Sequence, residues 1–146
     1  MFKQSVILFL LMLLTACANR SVNLTQMNTD IRQYITANDM TDVSRVTSFR
    51  FHGWNSISDE FLLLNSSPKR KYLIEMSGYC SDIRWAHSII LDRSMDSSLH
   101  AKFDSIGVPD QPALNCRIEK IYPITPEQKD AIFAIKNPPE EENSNK

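Results

Sequence analysis

Glycine is scarce in this chain: three residues in 146, Gly53, Gly78 and Gly107, each standing alone. A loop that cradles phosphates needs several glycines close together, and none of that kind is present. The single glycines are therefore read as turn positions that need a positive φ or a tight bend. Also missing are a Gly-x-Ser-x-Gly elbow, a His-Glu-x-x-His pair and a Cys-x-x-Cys pair, which removes the local signatures of serine hydrolysis, zinc proteolysis and thiol redox chemistry. Charge of either sign is not in excess, with 16 Lys plus Arg against 17 Asp plus Glu. The tight basic cluster Lys69-Arg70-Lys71 directly follows Pro68 and reads as a solvated hairpin tip, so no nucleic-acid partner is expected. No apolar run approaches the about twenty residues that span a bilayer as a helix, and no internal repeat is visible.

The longest apolar run, residues 6–14, follows Lys3 at the very start, which is the charge-then-hydrophobe order of a secretory signal. The four residues after it, Leu14-Thr15-Ala16-Cys17, resemble the lipobox of bacterial lipoproteins. That resemblance implies cleavage before Cys17 and acylation of Cys17 by diacylglycerol and a further fatty acid, so the chain would meet a membrane through its N-terminal lipid. Ala18 follows Cys17 in place of the Asp that resembles an inner-membrane retention signal, and this implies delivery to the periplasmic face of the outer membrane. The competing reading is an ordinary signal peptide cut at a nearby small residue. Three cysteines in a secreted chain leave an odd thiol, and lipidation of Cys17 accounts for it. Cys80 and Cys116 remain, and an oxidising compartment favours their disulfide over two buried thiols.

Along the chain, residues 17–26 are small or polar and suit a tether, 27–136 read as a single β-rich domain, and 137–146 as a disordered tail. Met27, Ile31, Tyr34 and Ile35 recur at helical spacing, with Asn28 or Thr29 as a cap and Asn38-Asp39 as the stop. Short runs rich in β-branched and aromatic residues then predict strands over 44–51, 60–65, 71–77, 87–92, 99–103 and 116–122. Asn65-Ser66-Ser67-Pro68 is the turn of a hairpin, and residues 81–86 offer a helical turn after Cys80. Thr125-Pro126-Glu127-Gln128 has the form of a capping box opening a last helix that Asn137-Pro138-Pro139 ends. The fold class expected is α+β, β-dominated: a small antiparallel sheet or barrel with a short helix near each end and one disulfide.

Chemistry-bearing residues are few. His52, His87 and His100 could hold a zinc only if the fold assembled them, because none stands at i, i+2 or i+4 from another. Asp59-Glu60 and Asp82 are the acids nearest aromatic residues, but adjacent acids on a strand point to opposite faces, which does not suit a paired-carboxylate mechanism. No metal or cofactor is expected. Trp54 and Trp85 each have a His and a basic residue close by, in Phe51-His52-Gly53-Trp54 and Arg84-Trp85-Ala86-His87. Exposed, Trp54, Arg84, Trp85 and His87 would form an aromatic and cationic patch for an envelope protein or a glycan; buried, the two rings would fill the core of a small barrel.

The order Phe51-x-Gly53-Trp54, Tyr72-Leu73, Cys80, Phe103-Asp104, Cys116-Arg117-Ile118 and Ile121-x-Pro123 resembles a family of small proteobacterial lipoproteins of unknown function, over residues 45–124. The resemblance supports the disulfide and one compact domain and implies no activity or ligand. The expected function is a noncatalytic envelope lipoprotein that binds or supports another component. The rival expectation is a hydrolase-like periplasmic enzyme, with a site assembled in space from His52, His87 and nearby acids.

Overall fold

Helix α1 (Leu24–Ala37) forms because Met27, Asn28, Ile31 and Ile35 make one buried face and Asn23 caps its start, the side chain accepting from the Gln26 N–H at 3.2 Å. The structure is a computed structural model and describes residues 23–138, apart from 49, 110 and the side chains of 112–114. The expected signal segment, Cys17 and all but the first two residues of the expected tail, 137–146, lie outside the described residues. The expected caps Asn28 and Thr29 are corrected by this geometry: the helix starts earlier, and Leu24 to Gln26, expected in the tether, belong to its first turn. Asn28 is instead buried, with its amide donating to the Asp59 carboxylate at 2.9 Å.

After α1 come β1 (Arg45–Thr47), β2 (Gly53–Ser56), β3 (Phe61–Asn65) and β4 (Lys71–Met76). A 3₁₀ turn (Ser81–Arg84) then leads to β5 (Ile90–Asp92), β6 (Ser98–His100), β7 (Ser105–Val108), the long β8 (Gln111–Ile124) and helix α2 (Pro126–Lys136). Six strands pair in the order β2-β3-β4-β8-β7-β5, every pairing antiparallel, in a sheet that curls into a half-barrel, and β1 pairs with β6 in a separate ribbon. The fold is α+β and β-dominated, as expected. The β3–β4 hairpin turns where expected, closed by the Ser66 N–H to Arg70 carbonyl bond of 3.0 Å, with Lys69 and Arg70 exposed at its tip.

The strand set differs from expectation in several places. Residues 44–51 hold only the short β1, the strand expected over 87–92 begins at Ile90, and the one expected over 99–103 is Ser98–His100, with 101–103 in a turn. In addition, β2, β7 and the first half of β8 are strands that the local pattern does not announce. Gly53-Trp54-Asn55-Ser56 has little intrinsic strand preference and is held extended by its register with Leu62 to Asn65. Gly53 and Gly107 therefore sit in strands rather than turns, and only Gly78, at φ +86°, needs the left-handed freedom of glycine.

At β3 both faces of the sheet are buried, which explains the unbroken apolar run of that strand. Phe61 and Leu63 point to the side covered by α1 and α2, where they pack with Ile31, Ile35, Leu73 and Ile132. Leu62 and Leu64 point to the other side and meet Ile74, Ile83, Leu99, Ile106 and Ile118 under the β1–β6 ribbon and the 3₁₀ turn. Strand β8 uses its two halves differently, pairing with β7 up to Arg117 and with β4 from Ile118 onward. A bulge lies at this junction, where Glu75 pairs with Lys120 but Met76 with Ile118. The extra residue reverses the alternation, so Cys116, Ile118 and Ile121 all face the same core despite their odd spacing.

Two devices fix the periphery. Cys80 and Cys116 form the expected disulfide, with Cα atoms 6.0 Å apart inside the core, tying the loop after β4 to the first half of β8. Arg32 of α1 reaches the sheet, its Nε donating to Glu75 at 3.1 Å and its other arm to Glu60, while the guanidinium lies over the Phe61 ring at 5.2 Å. Helix α2 opens with the expected reciprocal capping box of Thr125 and Gln128.

Candidate functional site

The disulfide organises the first candidate region. The Cys80 N–H donates to the Asp59 carbonyl at 2.9 Å, and Ile83 is wholly buried, so the 3₁₀ turn is pinned at both of these points. With Ile83 pointing in, the residues at its end point out. Trp85 is 75 % exposed, and the Arg84 guanidinium lies 5.2 Å from the centre of its ring, within cation–π range. On the other side of Cys80, Tyr79 is also exposed, so a buried cystine carries exposed aromatic rings on both flanks.

Lys136, in the last turn of α2, donates to the Ser56 carbonyl at 2.7 Å. Burial pushes its ammonium pKa down, and the positive charge of Arg84 pushes it the same way. Arg84 thus places positive charge beside an exposed indole, with Lys136 near enough to Arg84 to be affected by its charge. An anion arriving there would relieve the repulsion between the two cations.

The other residues singled out from the sequence have different surroundings. Trp54 is half-buried on β2 and packs against the core cluster beneath the ribbon, as the barrel-core reading expects, while Trp85 follows the opposite reading. His87 is exposed two residues beyond Trp85, and His52 is exposed before β2. His100 ends β6, and its Nδ1 lies 3.5 Å from the Asp104 carboxylate. Among the described residues, no three His, Cys, Asp or Glu side chains group as metal ligands would. Asp59 and Glu60 are engaged by α1, through Asn28 and Arg32.

A second region was not anticipated: an open cleft of about 430 Å³ lined by Ser77, Asp92, Phe103, Ser105, Asn115 and Arg117. Asp92 pairs with Ser105 and Ser105 with Arg117, so these side chains form a row across β5, β7 and β8. Ile106 and Cys116, the alternate residues on these strands, face the core, and the helices pack elsewhere, over β3, β4 and the end of β8. Strand alternation puts Arg117 on the face opposite Cys116 and Ile118. The neighbours of Arg117 are set by pairing with β7, which has no local strand pattern.

These features define a small disulfide-stapled α+β domain with a guanidinium-capped exposed indole and a separate polar cleft. The chain matches the model of a family of unknown function (DUF6491) over residues 1–133 and belongs to that family. No curated protein and no solved structure gives a match. Among the described residues, no helix is long and apolar enough to cross a membrane.

Proposed function

We propose that this protein is a noncatalytic bacterial envelope lipoprotein, anchored by lipid on Cys17 at the periplasmic face of the outer membrane, whose Arg84–Trp85 patch captures a carboxylate-bearing envelope component. The observation that carries the reading is the exposed Trp85 ring under the Arg84 guanidinium. A rigid ring offers contact area at small entropic cost, and a guanidinium can stack on an indole while forking onto a carboxylate. Lys136 adds a second cation, and the cystine and Ile83 hold the turn in place before any partner arrives, which lowers the entropic cost of binding.

The anchoring part rests on the segment before the domain and on compartment chemistry. A buried cystine suits an oxidising compartment, and a lipidated Cys17 leaves Cys80 and Cys116 as the only pair. Asn23, which caps α1, is six residues past Cys17, so the folded domain would begin within about 20 Å of the lipid.

The test uses the full-length protein in its own envelope. Cys17→Ser should leave the chain uncleaved or mislocalised, because stable anchoring needs more than one acyl chain; fractionation identical to the unaltered protein would refute the anchor. Crosslinking in the envelope should capture a partner that Trp85→Ala loses, with the melting temperature unchanged, since an exposed ring contributes within about 0.5 kcal/mol to stability. Capture that survives both Trp85→Ala and Arg84→Gln would refute the patch.

A further inference from the structure

We propose that the cleft on β5, β7 and β8 is a binding site for a neutral saccharide carrying an acetamido group. This site is separate from the Arg84–Trp85 patch and does not depend on the anchoring proposal. Its floor is the row Asp92, Ser105 and Arg117 set by the strand register, continued by Ser77, whose N–H donates to the Arg117 carbonyl at 2.8 Å. Phe103 closes one side and is 80 % exposed, an aromatic ring left almost wholly in water.

That exposure is held in place by built structure. Phe103 follows Lys102, which has φ +69°, a left-handed conformation that a side chain with a Cβ rarely adopts. The Lys102 N–H donates to the Ile118 carbonyl, binding the turn to β8. Asp104, next in the chain, is a buried carboxylate that accepts from the Ser94 N–H at 2.8 Å, the Ser94 hydroxyl at 2.7 Å and the His100 N–H at 2.6 Å. The loop carrying the ring is therefore fixed at both ends, and strain of this kind persists only where its surroundings over-determine it.

The chemistry of the lining selects the ligand. Asp92 only accepts hydrogen bonds, Arg117 only donates them, and Ser77, Ser105 and Asn115 do both. Such a mixture matches hydroxyl groups, which also do both. The carboxylate and the guanidinium stand on different strands with Ser105 between them. A phosphate drawn to Arg117 would meet Asp92, and a cation drawn to Asp92 would meet Arg117, so a neutral polyol is favoured over either ion. A pyranose offers hydroxyls at its rim and C–H bonds on its face, the latter complementary to the negative face of Phe103.

The acetamido group follows from the adjoining trough of about 330 Å³, where Ile90, Val108 and Pro109 supply apolar surface and Asp92 and Asn115 are shared with the cleft. A methyl could lie on that surface while its amide meets Asn115.

The test is binding of chitotriose to the full-length protein in a detergent with no sugar headgroup, followed by ligand-observed NMR and calorimetry. Cellotriose, inorganic phosphate and glycine serve as competitors. Chitotriose should bind, cellotriose more weakly, and phosphate and glycine should not displace it. Phe103→Ala and Asp92→Asn should each weaken binding about fivefold or more without moving the melting temperature, and Trp85→Ala should leave it unchanged. Absence of chitotriose binding, equal binding of cellotriose, preference for phosphate or glycine, or binding indifferent to Phe103→Ala would each overturn the assignment.

Discussion

Reduction of the Cys80–Cys116 bridge is the perturbation whose magnitude follows most directly from the structure. The bond closes a segment with a sequence separation of 36, and the loss of unfolded-chain entropy on closing a loop of that length is worth about 4 kcal/mol. Both sulfurs lie in the core, Cys80 being 1 % exposed. Reduced thiols can remain there as small apolar groups, so reduction removes the crosslink while largely keeping the packing. A domain of this length shifts its melting temperature by about 4 °C per kcal/mol, so the reduced protein should melt about 16 °C lower. Cys80→Ala with Cys116→Ala should fall further, by about another 1 to 2 kcal/mol, because the sulfur atoms also leave a cavity. The assay is far-UV circular dichroism, heated with and without reductant, with urea unfolding in parallel. The urea slope should rise on reduction, since an unfolded chain without the loop exposes more surface. A drop of less than about 4 °C with an unchanged slope would refute the loop-entropy account and mean that the bridge only fills space.

Phe61→Ala should cost about 3 to 5 kcal/mol in urea unfolding, since the ring is fully buried between α1 and the sheet beneath Arg32. Phe103→Ala, by contrast, should stay within about 0.5 kcal/mol of the unaltered protein, and similar losses for the two would contradict the burial described. For Asp104, burial alone pushes the carboxyl pKa up, but the hydrogen bonds from Ser94 and His100 outweigh it and hold it below the usual value. A carboxyl with a depressed folded pKa contributes stability that is fully present above its unfolded pKa and is lost as pH falls through the folded one. Asp104→Asn should therefore be destabilised near neutrality, by about 2 kcal/mol, with the gap narrowing from about pH 4 downward; a gap constant with pH would refute the role given to the charge.

The elements legible in the sequence are those whose signal is local. The capping box of Thr125 and Gln128 needs only four consecutive residues, and the helical spacing of Met27, Ile31 and Ile35 is written along one helix face. The β3–β4 hairpin combines a continuous apolar run with turn residues, so both its strands and its turn could be placed. The cysteine count pointed to the Cys80–Cys116 pair once the lipobox resemblance had set Cys17 aside. What lay beyond the sequence was decided by pairing between distant segments. Gly53 to Ser56 is a strand because Phe61 to Asn65 offers it a partner, and Ser105 to Val108 because β5 and β8 flank it. The bulge between Ile118 and Lys120 explains why Ile118 and Ile121 share a face, a reversal invisible without the partner strand. The fates of Trp54 and Trp85 diverged for the same reason. Each carries the same apolar ring beside a basic residue and a His, and only the packing of β2 over the core, against the outward end of a turn pinned by Ile83 and Cys80, leaves one half-buried and the other in solvent. Asp92, Ser105 and Arg117 fall together on no stretch of chain shorter than 26 residues. Periodicity reports which side of an element is apolar, but which elements lie side by side is set by the total burial of the whole chain, and the cleft exists only at that level.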